Sequence, residues 1–543
     1  MVAPSQRAAT GGPGHLPSPG DREPPRDHRG DRLTAPGPAG TDLAGTPGKG
    51  LRTGAIGLWG NTAIGLGATA PAYSLAATLG YVVLAVHDKA PAMFLVAFVP
   101  MLFVAVAYRE LNRSVPDCGT TFTWGTKAFG PWVGWMGGWG VAVSAIIVLA
   151  NVAEISAIYT LRAAGLDDLA ENTLVKVGLG VAFIAVMTWI SHRGIVLSER
   201  FQNVLIVAQI AVLALLAVGA LVLVATGDAG PQAVAPSWEW FNPVGVDGSA
   251  LAEAVILCIF IYWGWDACLA VGEETRGSDS TPGRAALLAT AILLAVYLLV
   301  AVAVQSYAGL GAEGIGLGNA ANAEDVITVL GAPIGGPVLT TVLLLTVAIS
   351  AAASTQTTIL PTARGALAMA VYGAVPPRFG RTHSRNRTPD FATLVMDVSA
   401  IAFYLVLGLV SDDALQDTIA SLGLAVAFYY GITAFACVWW FRDSLLTSAR
   451  HLLLRGLLPL LGGLVMVWAF VQSAIDMLDP EYGETSFGPV GGVFVIGVGM
   501  IVLGVPLMLA CAVRLRAFFR GELLHAGTPV LVPESGDPPH GGS

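Results

Sequence analysis

The chain has 543 residues, of which 55% are hydrophobic and only 12% are charged. Soluble domains carry roughly 25% charged residues, so this composition excludes an ordinary soluble domain and indicates a protein that crosses the membrane many times. In such a chain the net charge of −9 does not indicate a nucleic-acid partner, and we expect none.

The two ends of the chain differ in composition from the middle. Residues 1–50 are rich in Pro, Gly and Arg and are predicted to form a disordered tail without a signal peptide. Residues 521–543 are predicted to form a second disordered tail. The region between them, 51–520, is predicted to be one twelve-helix domain, because it contains twelve apolar runs long enough to cross a bilayer. They cover 54–84, 91–111, 131–161, 173–191, 200–226, 250–272, 283–308, 335–370, 391–410, 414–441, 456–476 and 488–513.

Charge placement predicts the topology of these spans. Of the 28 Lys and Arg residues, 25 fall in the N-terminal tail or in loops on the same side of the membrane as that tail, and the opposite loops are mostly acidic. Basic loops stay in the cytoplasm. We therefore expect a multi-pass plasma-membrane protein with both termini cytoplasmic.

The cysteines indicate no special chemistry, because no two of them form a C-x-x-C pair. We interpret them as small packing residues and expect neither a disulfide framework, a metal site nor a cofactor. They are Cys118, Cys258, Cys268, Cys437 and Cys511.

Two spans are interrupted by glycine. In Ile259–Glu274, Gly264 stands between two tryptophans and is followed by Asp266, a charge that costs about 2.5–3.5 kcal/mol in a membrane span. In Ile64–Ser74, two glycines precede Pro71. Broken helices at membrane depth occur where they line a cavity, and a pair of them in corresponding positions indicates the binding site of a transporter.

The broken spans are the first and the sixth, so they occupy equivalent places in two five-helix halves. We expect an inverted repeat, with repeat one at 54–226, repeat two at 250–441 and two additional helices at 456–513.

Unwound helices expose backbone amides at one end and carbonyls at the other, which suits a zwitterion. We expect the amides of Gly65–Ala68 to bind a carboxylate and the carbonyls of Ile261–Trp263 to bind an ammonium group. The alternative is that the glycines only allow close helix packing. Predicted substrate-binding residues are Ile64, Gly65, Leu66, Gly67, Ala68, Ile261, Tyr262, Trp263, Gly264 and Trp265.

Other polar residues in the spans have two interpretations each. Asp266 either stabilises the break or carries a proton. Ser350, Ser354 and Thr355 either bind a hard cation such as sodium or make interhelical hydrogen bonds. Glu154 either reaches water by snorkelling or helps to compensate a cationic substrate.

The stretch Tyr108–Trp139, YRELNRSVPDCGTTFTWGTKAFGPWVGWMGGW, resembles the amino acid–polyamine–organocation (APC) permease superfamily, and FIYWGWDACLAVGEE resembles its sixth helix. The resemblance implies an all-α, LeuT-like fold of about twelve helices, with helices 3, 8 and 10 closing a site at the breaks of helices 1 and 6. Some members couple to protons through a basic residue in helix 5. That position aligns with Gln209 here, which cannot hold a proton charge.

The predicted function is that of a permease that moves amino acids by alternating access, with H⁺ or Na⁺ as possible coupling ion. A polyamine or other organic-cation carrier and a transporter-like nutrient sensor are the alternatives. An enzyme is not expected, because the sequence offers no nucleophile–base or metal-ligand cluster. The sequence leaves open the substrate, the coupling ion, the direction of flux, the oligomeric state and the role of the N-terminal tail.

Overall fold

The computed structural model of the chain describes residues 49–410 and 417–531. Its helices are α1 (Leu58–Thr69), α2 (Pro71–Val86), α3 (Ala90–Ser114), α4 (Thr121–Phe129), α5 (Pro131–Ala163), α6 (Asp167–Ala170), α7 (Thr173–His192), α8 (Ile195–Thr226), α9 (Gly248–Ile261), α10 (Ala267–Ala270), α11 (Thr281–Ala308), α12 (Val326–Val329), α13 (Gly331–Val371), α14 (Asp390–Val410), α15 (Asp417–Trp440), α16 (Ala449–His451), α17 (Leu458–Asp476), α18 (Gly492–Arg514) and α19 (Arg516–Phe519). A short hairpin lies between α17 and α18. Its strands, β1 (Ser486–Phe487) and β2 (Val490–Gly491), have two residues each.

Every predicted span has a helical counterpart in the described residues. In the part of the chain that the structure describes, ten helical stretches are long and apolar enough to cross a membrane. The longest, Leu58–Ser114, covers most of the first predicted span and all of the second. The sixth span is shorter because it is broken: α9 has 14 residues and is followed by the four-residue α10.

The ends of the helices follow from the sequence. Proline stands at the first positions of α2, α5 and α11, where its missing N–H has no helical acceptor to lose. Gly227 ends α8 in the left-handed conformation, φ +82°, which glycine adopts without strain.

Helix α8 shows how the bundle separates its lipid face from its interior. Its outward residues include Val204, Val207 and Val218, which are more than half exposed, whereas Gln202 and Gln209 are buried. An apolar outer face and a polar inner face are expected for a helix in lipid.

Helices α5, α13 and α15 form the centre of the bundle, and α5 packs against both of the others. Around this centre α1 packs against α10 and α11, whereas α2 packs against α9. The two broken spans therefore pack in opposite order. The first half of span 1, α1, lies beside the second half of span 6, and the second half of span 1, α2, lies beside the first half of span 6. This exchange is expected when two repeats insert with opposite orientation.

Part of each predicted tail is packed against the bundle. Lys49 is buried, and Leu531 donates its amide to the Tyr372 hydroxyl at 3.4 Å. Lys127 donates to the carbonyls of residues 525, 526 and 528. Residues 49–50 and 521–531 are thus fixed at one end of the bundle, which we call the terminal end. The rest of both predicted tails lies outside the described residues.

Candidate functional site

The first break lies at Ala70, within the predicted stretch Ile64–Ser74. Helix α1 ends at Thr69, Ala70 adopts left-handed angles (φ 46°, ψ 63°), and α2 begins at Pro71. The chain leaves the helix here because proline has no N–H to donate and its ring clashes with the preceding turn.

The position of this break corrects the predicted carboxylate amides. Gly65–Ala68 lie inside α1, where helical geometry directs each amide to the carbonyl four residues earlier. The amides at the start of a helix are those of α2, and the first of them belong to Ala72 and Tyr73, because Pro71 has none.

Two serines of α13 hold this break from both sides. The Ser354 hydroxyl donates to the Ala68 carbonyl at 3.0 Å, and the Ser350 hydroxyl accepts from the Tyr73 amide at 3.3 Å. The predicted common face of Ser350 and Ser354 therefore points at the break. Thr355 bonds within its own helix, to the Ala351 carbonyl at 3.1 Å.

The second break covers Tyr262–Asp266, between α9 and α10. Gly264 has φ +111°, a conformation that side-chain-bearing residues rarely adopt. A Cβ on Gly264 would lie 2.8 Å from the backbone carbon and oxygen of Ala68. The two breaks are consequently in direct backbone contact, and glycine is needed at 264 for both its angles and its size.

The carbonyls of the second break differ in their partners. The Tyr297 hydroxyl donates to the Ile261 carbonyl at 2.7 Å. Among the described residues, none donates a hydrogen bond to the carbonyls of Tyr262 or Trp263. These two carbonyls can therefore accept from a ligand.

Asp266 is held by two neighbouring tyrosines of α15. Tyr429 donates to its Oδ2 at 3.1 Å and Tyr430 to its Oδ1 at 3.0 Å. The Trp263 indole donates to the Tyr429 hydroxyl at 2.6 Å. Within the described residues Asp266 has no cationic partner, so the side chains that donate to its carboxylate are hydroxyl groups.

The predicted aromatic residues occupy different surroundings. Tyr262 donates to the Phe94 carbonyl at 3.2 Å and is fully buried. Trp265 is also fully buried, edge-on to Tyr108. Its indole N–H has no partner in the described part of the chain. A buried donor without a protein acceptor indicates that water or a ligand supplies one.

A small cavity of about 40 Å³ reaches Asp266. Thr120, Gly138 of α5, Ala270 of α10 and Thr362 of α13 are among the residues that line it. This volume suits a few water molecules and is too small for an amino acid. Entry of a substrate therefore requires the surrounding helices to move.

Helix α8 brings Gln202, rather than Gln209, against the first broken span. A Cβ on Gly67 would lie 2.3 Å from Gln202 Oε1, and Gln202 Nε2 donates to the Ala353 carbonyl at 2.9 Å. Gln209 is buried two turns further along α8, and its amide has no described partner. Both side chains are amides, so neither holds a proton charge.

Glu154 is paired away from the breaks. Its carboxylate lies 3.1 Å from Lys176 Nζ. Asn151, one turn earlier, accepts a hydrogen bond from the Tyr73 hydroxyl and so joins α5 to α2. Glu154 therefore does not supply a compensating charge beside Asp266.

Buried ion pairs close the terminal end of the bundle. Lys49 Nζ lies 2.6 Å from Asp117 Oδ2 and 2.5 Å from Glu273 Oε1, and all three side chains are almost completely buried. Arg364 of α13 pairs with Glu274. These contacts hold the segment before α1 and the end of span 6 to α13 and to the loop after α3.

Lys49 supplies the positive charge beside the carboxylates of Asp117 and Glu273. Asp117, Cys118 and Glu273 offer three ligand atoms close together, but the Lys49 ammonium lies between the two carboxylates. Burial disfavours the charged form of Asp117, but the attraction of Lys49 and the hydrogen bonds from Lys49, Tyr372 and the Gly119 amide together outweigh it and hold the pKa of Asp117 below its ordinary value. No local pattern in the sequence indicates this cluster, because Asp117 and Glu273 lie 68 and 224 residues from Lys49.

Gly65 provides a test of the packing between α1 and α10. A Cβ at this position would lie 2.4 Å from Cys268 Sγ. We expect Gly65→Ala to lower stability by about 1–3 kcal/mol through overpacking. Adding Cys268→Ala should restore much of the loss, as measured by thermal unfolding of the purified protein. Gly499→Ala, at a helical glycine with open space around it, is the control. A Gly65→Ala variant that unfolds like this control would contradict the packing.

Two broken helices in contact within a bundle of membrane helices define a multi-pass membrane transporter. The sequence model of the amino acid permease family matches residues 56–510. The chain belongs to this family, and the resemblance to the APC superfamily is confirmed.

Proteins of similar sequence include named transporters and permeases. An uncharacterized transporter of Mycobacterium tuberculosis is 26% identical over 78% of this chain and 84% of its own length. The low-affinity putrescine importer PlaP of Escherichia coli is 24% identical, covering 74% and 85% of the two chains. The branched-chain amino acid permease BcaP of Bacillus subtilis is 24% identical, covering 55% and 63%.

Solved structures support the LeuT-like fold. The crystal structure of MhsT in complex with L-phenylalanine superposes with a TM-score of 0.56 at 16% identity, covering 78% of this chain and 99% of that one. A manganese transporter of Eremococcus coleocola gives 0.50 at 14% identity, covering 85% and 94%. The predicted inverted repeat with broken helices 1 and 6 is therefore confirmed.

Proposed function

We propose that this permease carries amino acids across the plasma membrane by alternating access, with both termini in the cytoplasm. The observation that carries the proposal is the contact between the two breaks. This contact supports the proposal because the amides of α2, the carbonyls of Tyr262 and Trp263, and the Asp266 carboxylate all belong to the two breaks or adjoin them.

The proposed pose follows from these charges. The substrate carboxylate lies at the α2 N-terminus, against the Ala72 amide, where the helix dipole is positive. The Tyr73 amide already donates to the Ser350 hydroxyl. The ammonium group donates to the carbonyls of Tyr262 and Trp263. Gly65, Gly67 and Ala68 contribute the close backbone of α1 rather than their amides, and Ser354 fixes that backbone at its carbonyl end.

Movement between the two access states is proposed to involve α1 and α10 as one unit. The segment before α1 bonds to the segment after α10, with Ala55 donating to the Glu274 carbonyl at 2.8 Å and Arg276 to the Ile56 carbonyl at 2.9 Å. Lys49 and Arg364 tie this unit down at the terminal end. Breaking these ion pairs would let the unit swing away and open the cavity beside Asp266 to the cytoplasm.

Uptake into proteoliposomes tests this proposal. A panel of labelled amino acids is measured with a sodium gradient, with a proton gradient and with neither. We expect accumulation of at least one amino acid, and the effective gradient identifies the coupling ion. Binding without flux would favour the nutrient-sensor alternative, and no response to any amino acid would contradict the proposal.

A polyamine or other organic cation is a second candidate substrate, because Asp266 has no cationic partner in the described residues. The relationship to a putrescine importer is compatible with it. In this case Asp266 would bind an ammonium group directly.

Asp266→Asn separates the two candidates, since asparagine keeps an acceptor for the tyrosines but loses the charge. If the charge binds substrate, uptake of a diamine such as putrescine should fall by at least about tenfold, the value of a hydrogen bond to a charged group. Uptake of a neutral amino acid should fall less. An equal loss for both substrates would assign Asp266 to the stability of the break alone.

A further inference from the structure

A second cavity lies at the terminal end, away from the two breaks. Its volume is about 410 Å³, within the range of roughly 300–1,000 Å³ that small-molecule sites occupy. The end of α3 forms one wall. The chain between α15 and α17 forms the other, and it contributes Phe441, Arg450 and Arg455.

The cavity is strongly basic. Arg113, Arg450 and Arg455 line it together with His451, and Glu110 is its one carboxylate. Glu110 is buried, with only 4% of its side chain exposed, and accepts from Arg455 Nε at 2.9 Å. One glutamate cannot neutralise three arginines, so the cavity keeps a net positive charge that favours an anion.

The three arginines differ in how firmly other residues hold them. Arg455 is fixed by Glu110 and by the Phe441 ring, whose centroid lies 4.3 Å from its guanidinium carbon. Arg113 is 46% exposed and 3.9 Å from Glu110. Arg450 is exposed and has no ion pair or hydrogen bond with another described residue. Two guanidinium groups are thus available to an incoming ligand, and guanidinium groups match the oxygens of phosphate with paired hydrogen bonds.

The backbone at this cavity is unusual. Residues Leu452–Leu457 form a π-helix between α16 and α17. Such i→i+5 turns are rare and occur frequently at functional sites. The π-helix begins two residues after Arg450 and contains Arg455, and both arginines line the cavity.

Exposed apolar side chains flank the cavity-lining residues along the chain. Leu446 is 88% exposed, and Leu452, Leu453, Leu457 and Trp439 are also exposed. In a membrane bundle such side chains lie against lipid, and tryptophan favours the level of the headgroups. A phosphate bound here would therefore have acyl chains beside it, and basic pockets between helices at the cytoplasmic face bind lipid headgroups.

We propose that this cavity binds the phosphate group of an anionic phospholipid, held by Arg113 and Arg450 beside the fixed Arg455. The site is separate from the substrate site at the breaks and does not depend on the substrate that is transported.

Native mass spectrometry of the delipidated full-length protein tests the proposal. Phosphatidylglycerol, phosphatidylcholine and inorganic phosphate are titrated separately. We expect phosphatidylglycerol to bind preferentially, and Arg113→Gln with Arg450→Gln to weaken it by roughly tenfold or more. Arg450→Gln alone, a change at an exposed side chain, should weaken it in the same direction and guards against misfolding of the double variant.

Arg442→Gln is the matched control, because Arg442 stacks on Trp439 at the same end of the bundle but does not line the cavity. Equal phosphatidylglycerol binding by this control and the double variant would overturn the site. Equal binding of phosphatidylcholine and phosphatidylglycerol would also overturn it. Inorganic phosphate binding that is lost in the double variant, without preference for the lipid, would support the phosphate site but overturn its assignment to a phospholipid.

Discussion

Gly264→Val is expected to abolish uptake while leaving the protein inserted in the membrane. Valine cannot easily adopt φ +111°, and its Cβ would lie 2.8 Å from the backbone of Ala68. The two breaks would be forced apart by about 1 Å or more, and a displacement of ~1 Å in a site can cost about 100-fold in rate. Initial uptake rates in proteoliposomes, normalised to inserted protein, measure the effect.

The control for this change is Gly499→Val in α18. The substitution is the same, but a Cβ on Gly499 meets nothing within 4 Å, so uptake should stay close to that of the unaltered protein. If Gly264→Val transported as well as Gly499→Val, the contact between the breaks would have no role in transport.

Lys49→Met is expected to lower the stability of the protein by about 3–5 kcal/mol, because removing one partner leaves uncompensated buried charges. Asp117 and Glu273 would face each other without the cation that lies 2.6 and 2.5 Å from them. Thermal unfolding of the purified protein measures this effect as a lower Tm.

Neutralising the partners distinguishes charge from packing. Lys49→Met combined with Asp117→Asn and Glu273→Gln should recover much of the lost Tm, since no unpaired charge remains buried. Arg52→Met is the control, because Arg52 is exposed and close to Lys49 in sequence. A Tm for Lys49→Met equal to that of Arg52→Met would show that the ion pairs do not hold the terminal end together.

The fold could be predicted because hydrophobic length and charge alternation act along the chain. The twelve spans and the interruption of the first and sixth follow from such local signals. The exact residue of the first break did not follow. Gly65 and Gly67 remain helical because neighbouring helices pack closely on them, and Pro71 determines where the helix ends.

Only part of the candidate site can be predicted from the sequence, because residues that meet in the site are far apart along the chain. Asp266 was singled out because a charge in an apolar span is visible in sequence. Its partners Tyr429 and Tyr430 were not, because hydroxyl donors from α15 carry no local signal. The same holds for Gln202, which shares a helical face with Gln209 and could be chosen over it only once α1 was placed beside α8.

Substrate is expected to bind where the two breaks meet, and a cryo-EM structure of the protein with a transported substrate tests this most directly. Ligand density is expected between the α2 N-terminus and the carbonyls of Tyr262 and Trp263, close to Asp266. Density at another place in the bundle, with both breaks unoccupied, would contradict it.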